Sequence, residues 1–271
     1  MTREEIIASA VSFTENSPAN YISPEAALKP EYAGMKIFEE PMFGFCAADD
    51  DMFKELKTPG VISDEHLSPE EWLPSAKTVI SFFLPLTERI RSSNTADKAW
   101  PSEEWMHGRI EGQQFVNELS LYVAKLLTDA GYKSVVPFLD ERFKMGKALK
   151  TPFTSNWSER HAAYISGLGT FGLSKCMITV KGTAGRFGSV VTELELPRDT
   201  RPYTDIYEYC SMCGACAALC PVDCITLENG KVDKPCFDFL EDVLAAHKPR
   251  YGCGKCQVKV SCETKRPEKR K

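Results

Sequence analysis

Cys210-Ser-Met-Cys213-Gly-Ala-Cys216-Ala-Ala-Leu-Cys220-Pro221 carries four of the chain's eleven cysteines within eleven positions. The spacing is C-x2-C-x2-C-x3-C-P, which ligates [4Fe–4S] clusters. Thiolates two residues apart wrap one cubane within a single loop. The cysteine before proline points away and serves a second cluster, so a second cysteine group is required. It is present as Cys236, Cys253, Cys256 and Cys262. By this crossing rule Cys210, Cys213, Cys216 and Cys262 hold one cluster, and Cys220, Cys236, Cys253 and Cys256 the other. Soft, strongly donating thiolates suit iron.

Two other uses of cysteine fit less well. Zinc sites pair Cys-x2-Cys units a dozen or more residues apart. A disulfide framework belongs to an oxidising compartment and usually to a small secreted chain. Pro221 stiffens the exit of the loop, and Gly214 and Gly254 are expected to let backbone amides approach the clusters. Cys224, Cys46 and Cys176 read as buried non-ligands, since free cysteine behaves as a small hydrophobe.

The 271 residues leave room for one large domain, or for a medium one and a small one. Apolar residues at 43% and charged residues at 26% are ordinary for a globular protein. The net charge of −5 and pI near 5.6 argue against a nucleic-acid partner. Met1–Ala10 reads as a capped helix, with Thr2 and Glu5 at capping-box spacing, rather than a basic leader. No apolar run approaches the ~18 residues of a membrane span, so a cytoplasmic protein without membrane contact is expected. The basic run from Lys265 to Lys271 reads as a solvated, frayed terminus.

Two cysteines fall in residues 1–200 and nine beyond, with Pro197, Arg201 and Pro202 near the change. A boundary near residue 200 follows, giving domains 1–200 and 201–271. In the first, Thr78-Val-Ile-Ser-Phe-Phe-Leu reads as a buried strand between Pro74 and Pro85. Ser102 caps a long helix that stops at Gly131, with Phe115, Leu119, Tyr122 and Leu126 as its core face. A strand near Lys133–Phe138, a helix at Glu159–Gly167 and strands at Met177–Val180 and Ser189–Glu195 complete an α+β sandwich. The second domain is small and loop-rich, so metal ligation must supply much of its folding energy.

Gly167-Leu-Gly169-Thr-Phe-Gly172 and Lys181-Gly-Thr-Ala-Gly185-Arg186-Phe-Gly188-Ser189 are glycine-dense, which suits either close approach by a ligand or special turns. The first matches G-x-G-x-x-G in letters, but it follows a helix, whereas a dinucleotide fingerprint follows a strand.

Taken together, "ERHAAYISGLGTFGLSK", "RFGSVVTEL", "CSMCGACAALCPVDCI" and "YGCGKCQ" resemble the epoxyqueuosine reductase and reductive dehalogenase superfamily of corrinoid iron–sulfur proteins, over roughly residues 75–262. The resemblance implies a nitroreductase-like α/β sandwich that binds cobalamin, followed by a two-cluster ferredoxin-type domain. It implies that electrons pass singly through the clusters to the corrinoid. It places Gly167, Gly169, Gly172, Arg186, Gly188 and Ser189 against the cofactor. Arg160 and Tyr164 are the candidate catalytic residues, and positions 160 and 164 share a helix face, which makes their pairing geometrically possible. Flavin is the alternative cofactor, because nitroreductase-like architectures also hold flavins. A ferredoxin or flavodoxin is the expected electron donor.

Two departures bear on the activity. The family places an acid seven residues before the arginine of its Glu-Arg pair, and here that position is Phe153. Asp140 and Glu141 lie upstream, and His161 and Tyr164 are other candidate proton donors. The family's queuosine enzymes also commonly continue into a helical region beyond the clusters, and this sequence stops soon after Cys262. A small-molecule substrate is therefore expected over tRNA, with epoxyqueuosine reduction and a non-catalytic electron carrier as the alternatives. None of His66, His107, His161 and His247 lies in an Asp-x-His-x-x-Gly motif, so no histidine ligand to cobalt is expected.

Overall fold

The computed structural model describes residues 1–268. The first helix, α1 (Arg3–Asn16), starts on the expected capping box: Glu5 N–H donates to Thr2 Oγ1, and Thr2 N–H donates to a Glu5 carboxylate oxygen. It is followed by β1 (Met42–Ala47), the short helices α2 (Asp51–Glu55) and α3 (Pro69–Trp72), β2 (Thr78–Pro85) and α4 (Glu88–Ser93). Next come the long α5 (Glu103–Asp129), β3 (Ser134–Val135), α6 (Glu159–Ile165), β4 (Gly169–Phe171), β5 (Met177–Thr179) and β6 (Gly185–Thr192). The cysteine-rich end holds α7 (Ala215–Ala218), β7 (Ile225–Thr226), β8 (Gly230–Lys231) and α8 (Asp233–His247).

The central sheet has the order β1-β2-β6-β3 and is antiparallel throughout. Strand β2 lies in its middle, pairing Phe82 with Phe43 on one side and with Gly188 on the other. Both faces are covered, so β2 reads as one apolar run rather than an alternation. Phe45, Ile80, Phe82, Leu84 and Val190 face a core shared with α1 and α5. Cys46, Val79 and Val191 face a second core built around Trp157 and α6. Side chains alternate across a strand, so neighbours in sequence fall in opposite cores. Each fully buried large side chain contributes about 1.5–3 kcal/mol.

Ser102 caps α5 by accepting from Trp105 N–H, and Gly131 follows the helix at φ +90°. The expected strand near Lys133 shrinks to two residues, because Pro137 opens a 3-10 turn. Strand β6 starts four residues earlier than the sequence pattern indicates, since its glycine-rich first half pairs fully with β2. No helix among the described residues is long and apolar enough to cross a membrane.

The cysteine-bearing segment folds back onto the sheet. Arg250 donates to both carboxylate oxygens of Glu111 at 2.6 Å and to Ala26 O at 2.9 Å. Thr183 N–H donates to Cys262 O, and Arg91 pairs with Glu263 at 2.6 Å. The tail is less free than its composition predicts. Arg266 lies 3.9 Å from the Tyr209 ring centroid and Pro267 is buried, while residues 269–271 lie outside the described residues.

Candidate cluster and cofactor site

None of the eleven cysteines is bonded to another. Cys210, Cys216, Cys220, Cys236 and Cys256 all pack against one small apolar cluster of Leu173, Cys224 and Ile225. Burial, then the charges of Cys210, Cys176 and Cys213, push Cys216 up to about 11, and burial with those thiols and Cys216 pushes Cys262 up to about 12. Cys220, Cys236, Cys253 and Cys256 line a common chamber of about 230 Å³. Burial and the Cys236 thiolate push Cys253 up to about 11. Thiols this crowded resist ionising together until a cation joins them, so both sets fit iron. Among the described residues no three Cys, His, Asp or Glu side chains converge as ligands of one ion would. A cubane instead takes its four thiolates on four separate irons.

Gly254 sits between two of these cysteines at φ +67°, and a Cβ there would meet the Trp105 ring at 1.9 Å. Its glycine character therefore serves packing on Trp105 rather than only amide approach. Cys224 is buried as expected, but its sulfur lies 3.4 Å from that of Cys220 and it lines the chamber. Cys176 is more than a small hydrophobe. Its sulfur lies 4.0 Å from that of Cys256 and accepts from Gln257 Nε2 at 3.3 Å. Cys46 fits the simpler description: it is buried, accepts from Ser166 Oγ, and is pushed up to about 12 by burial.

A second cavity, of about 360 Å³, lies against the chamber. Cys176, Gly185, Arg186 and Gln257 line both. Helix α5 contributes Gln113, Val116, Asn117 and Ser120, and the loop after β3 contributes Phe138 and Phe143. Three shielded polar atoms of this lining have no hydrogen-bond partner in the protein: Glu159 Oε2, Thr183 Oγ1 and Arg186 Nε. Orphaned buried polar atoms are costly and call for an occupant. Burial holds the Glu159 carboxyl up to about 7, against the hydrogen bonds of Ser189 and Trp157. Burial, then the charge of Arg109, pulls the Arg186 guanidinium down to about 9. The rim of a corrinoid carries carboxamides that donate and accept, so it fits this set of orphans.

Of the nominated cofactor residues, Arg186 and Gly188 line the cavity and the others do not. A Cβ on Gly169 would stand 2.1 Å from Ile178 O, and one on Gly167 2.8 Å from Thr200 O. Gly172 is crowded by Ile178 and Cys176. These three glycines are required by the β4–β5 hairpin and its entry turn, which leave no room for a Cβ. Ser189 is fully buried behind the wall, accepting from Trp157 Nε1 at 3.0 Å.

Arg160 lines the cavity and donates to Lys175 O, so it does not pair with Tyr164. Tyr164 is turned away, packed on Tyr203 and Phe171. His161 bonds Ser158 Oγ at 2.7 Å, and burial pulls it down to about 3. It therefore stays neutral and offers no acidic proton. Asp140 is tied to Arg142 at 2.8 Å, and Phe153 packs on Phe237 outside the cavity. No histidine lines either cavity among the described residues. Sequence reasoning missed Glu159, Thr183 and Lys231. Glu159 opens α6, where an acid ordinarily complements the helix dipole.

Residues 203–226 match the 4Fe–4S binding domain family. A comparison with curated proteins finds no match. Among solved structures, the epoxyqueuosine reductase from Streptococcus thermophilus is 19% identical, with 84% of this chain and 64% of that one covered at a TM-score of 0.51. An epoxyqueuosine reductase with a tRNA-Tyr epoxyqueuosine-modified stem loop is 16% identical, covering 96% of this chain and 65% of that one at 0.56. A catabolic reductive dehalogenase in complex with 3-bromo-4-hydroxybenzoic acid is 13% identical, covering 97% and 37% at 0.56. The chain spans less than two thirds of the length of the first two. This chain, with its 4Fe–4S-binding segment, therefore shares its fold with the epoxyqueuosine reductases and the reductive dehalogenases.

Proposed function

We propose that this chain is an iron–sulfur reductase that carries single electrons through two [4Fe–4S] clusters to a corrinoid in the second cavity, for use on a small-molecule substrate. The observation that carries this reading is the shared wall: Cys176, Gly185, Arg186 and Gln257 line both the cysteine chamber and the cavity. The clusters would supply one-electron carriage, and the corrinoid a cobalt centre that takes the electrons up.

The chain's own residues divide the remaining work. Cys210, Cys213, Cys216 and Cys262 would hold one cluster, and Cys220, Cys236, Cys253 and Cys256 the other. Arg186 Nε and Thr183 Oγ1 offer donors to an occupant's carbonyl or anionic groups. Val116, Val136, Phe138 and Phe143 keep part of the cavity wall dry. Glu159 lines the cavity, and burial holds its carboxyl up to about 7, which suits proton delivery where Phe153 cannot serve. The donor would be a ferredoxin or flavodoxin. The net charge of −5 favours a small substrate over tRNA.

Gel filtration of the anaerobically reconstituted chain with hydroxocobalamin tests this reading. Co-elution at one corrinoid per chain, weakened by Arg186→Gln, is expected. Co-elution of FMN instead, or of neither compound, would overturn the corrinoid assignment.

A further inference from the structure

One thiol set sits among fixed positive charge, and among the described residues no acidic side chain lines its chamber. The chamber of Cys220, Cys236, Cys253 and Cys256 is lined by Lys231, Lys255, Arg109 and Arg186.

Lys231 is the telling member. Strand β8 holds it opposite Ile225, one residue after Cys224, so its backbone is fixed by the ladder. Its side chain lines the chamber together with Cys176, Cys236 and Cys256. The nearest acid in sequence, Asp233, is taken by Lys175 at 2.6 Å. Lys255 lies between two chamber cysteines with its ammonium on carbonyl oxygens, Asn94 O at 2.7 Å and Asp97 O at 3.0 Å. A buried ammonium is costly unless an anion faces it. Here the anion on offer is a thiolate-ligated cluster.

Given the two-cluster reading above, we infer that Lys231 is a built-in counter-charge that sets the potential of the cluster on Cys220, Cys236, Cys253 and Cys256 above that of its neighbour. Adding an electron makes a cluster more negative, and a fixed positive charge in a buried site stabilises that form. A low-potential one-electron donor would reduce the first cluster, and the transfer that reoxidises it would reduce the second, beside the cavity wall at Cys176 and Gln257.

The test is an EPR-monitored redox titration with dithionite on the full, reconstituted chain, after iron analysis. Two separate midpoints are expected. Lys231→Met should move the higher one to more negative potential and leave the lower in place, and Lys231→Arg should restore it. Should the Met variant fail to take up iron, Lys231→Gln, which keeps a donor of similar length, carries the same expectation. A single unresolved wave in the unaltered chain, or an unchanged higher midpoint in the variant, overturns the inference, as does an equal shift of both. About four irons in the unaltered chain would instead remove the two-cluster reading on which it rests, and the iron analysis tells the two failures apart.

Discussion

Cys176 holds its sulfur 4.0 Å from that of Cys256, and of the two only Cys176 also lines the neighbouring cavity. The contact joins the part of the molecule that would hold iron to the part that would hold an organic cofactor. It also separates two roles that cysteine alone does not distinguish, ligand and neighbour.

Cys176→Ala is expected to keep the full iron content of the reconstituted chain, because Cys256 still completes its set of four. Cys256→Ala should lose about half of the iron, or yield a [3Fe–4S] signal by EPR. Iron analysis and EPR on both variants check this; full loading of Cys256→Ala would contradict the ligand assignment.

Glu159 gives the stability a signed pH dependence. Its folded value of about 7 lies above the ordinary glutamate value of 4.5. The native state therefore binds more protons than the unfolded chain between those two values. Stability from this group is fully present below the lower value and is lost as pH rises to about 7. The size is roughly 3 kcal/mol at most, since each pH unit between the two values is worth about 1.4 kcal/mol. Denaturation of the cofactor-free cavity should show Glu159→Gln gaining on the unaltered chain between pH 5 and pH 8, to roughly this extent. Parallel profiles would show that the carboxyl is not held protonated.

The Arg250–Glu111 pair clamps the segment after α8 onto α5. Glu111 also meets His107 Nδ1 at 2.9 Å, and those partners hold its carboxyl below the usual range even though burial opposes them. Removing one partner of a buried pair costs about 3–5 kcal/mol, because the other is left uncompensated. Arg250→Met should therefore lower the melting temperature and loosen the cysteine segment. Partial recovery in Arg250→Met/Glu111→Leu would mark the cost as that of the stranded charge.

Gly188 lies opposite Phe82, and a Cβ there would meet its ring at 2.4 Å. Gly188→Ala is expected to cost about 1–3 kcal/mol by overpacking, read as a lower melting temperature. Because Gly188 also lines the cavity, hydroxocobalamin binding should weaken with it. An unchanged melting temperature would mean that the Phe82 ring has room to move.

The iron–sulfur segment was legible because ligation is written in local spacing, and residues 203–226 match the 4Fe–4S binding domain family. Strand β2 and helix α5 were legible for similar reasons, since a continuous apolar run and a capped amphipathic helix are local patterns. The Gly167–Gly172 motif was legible only in part, because glycine density reports close approach without saying to what. Here the approach is to the backbone of Ile178 and Thr200. Glu159 and Thr183 could not be found from spacing. Their importance lies in lacking a partner in a cavity closed by α5, the loop after β3 and β6, which are far apart in the chain.

Two clusters, one of them against a cofactor cavity, are tested most simply by counting them. Iron, acid-labile sulfide and reducing equivalents should be determined together on the anaerobically reconstituted chain, with and without hydroxocobalamin. About eight irons and two electrons per chain are expected, four irons and one electron to each cluster, with further electron uptake once corrinoid is bound. About four irons and one electron per chain, or no added uptake with corrinoid, would contradict the two-cluster corrinoid reductase.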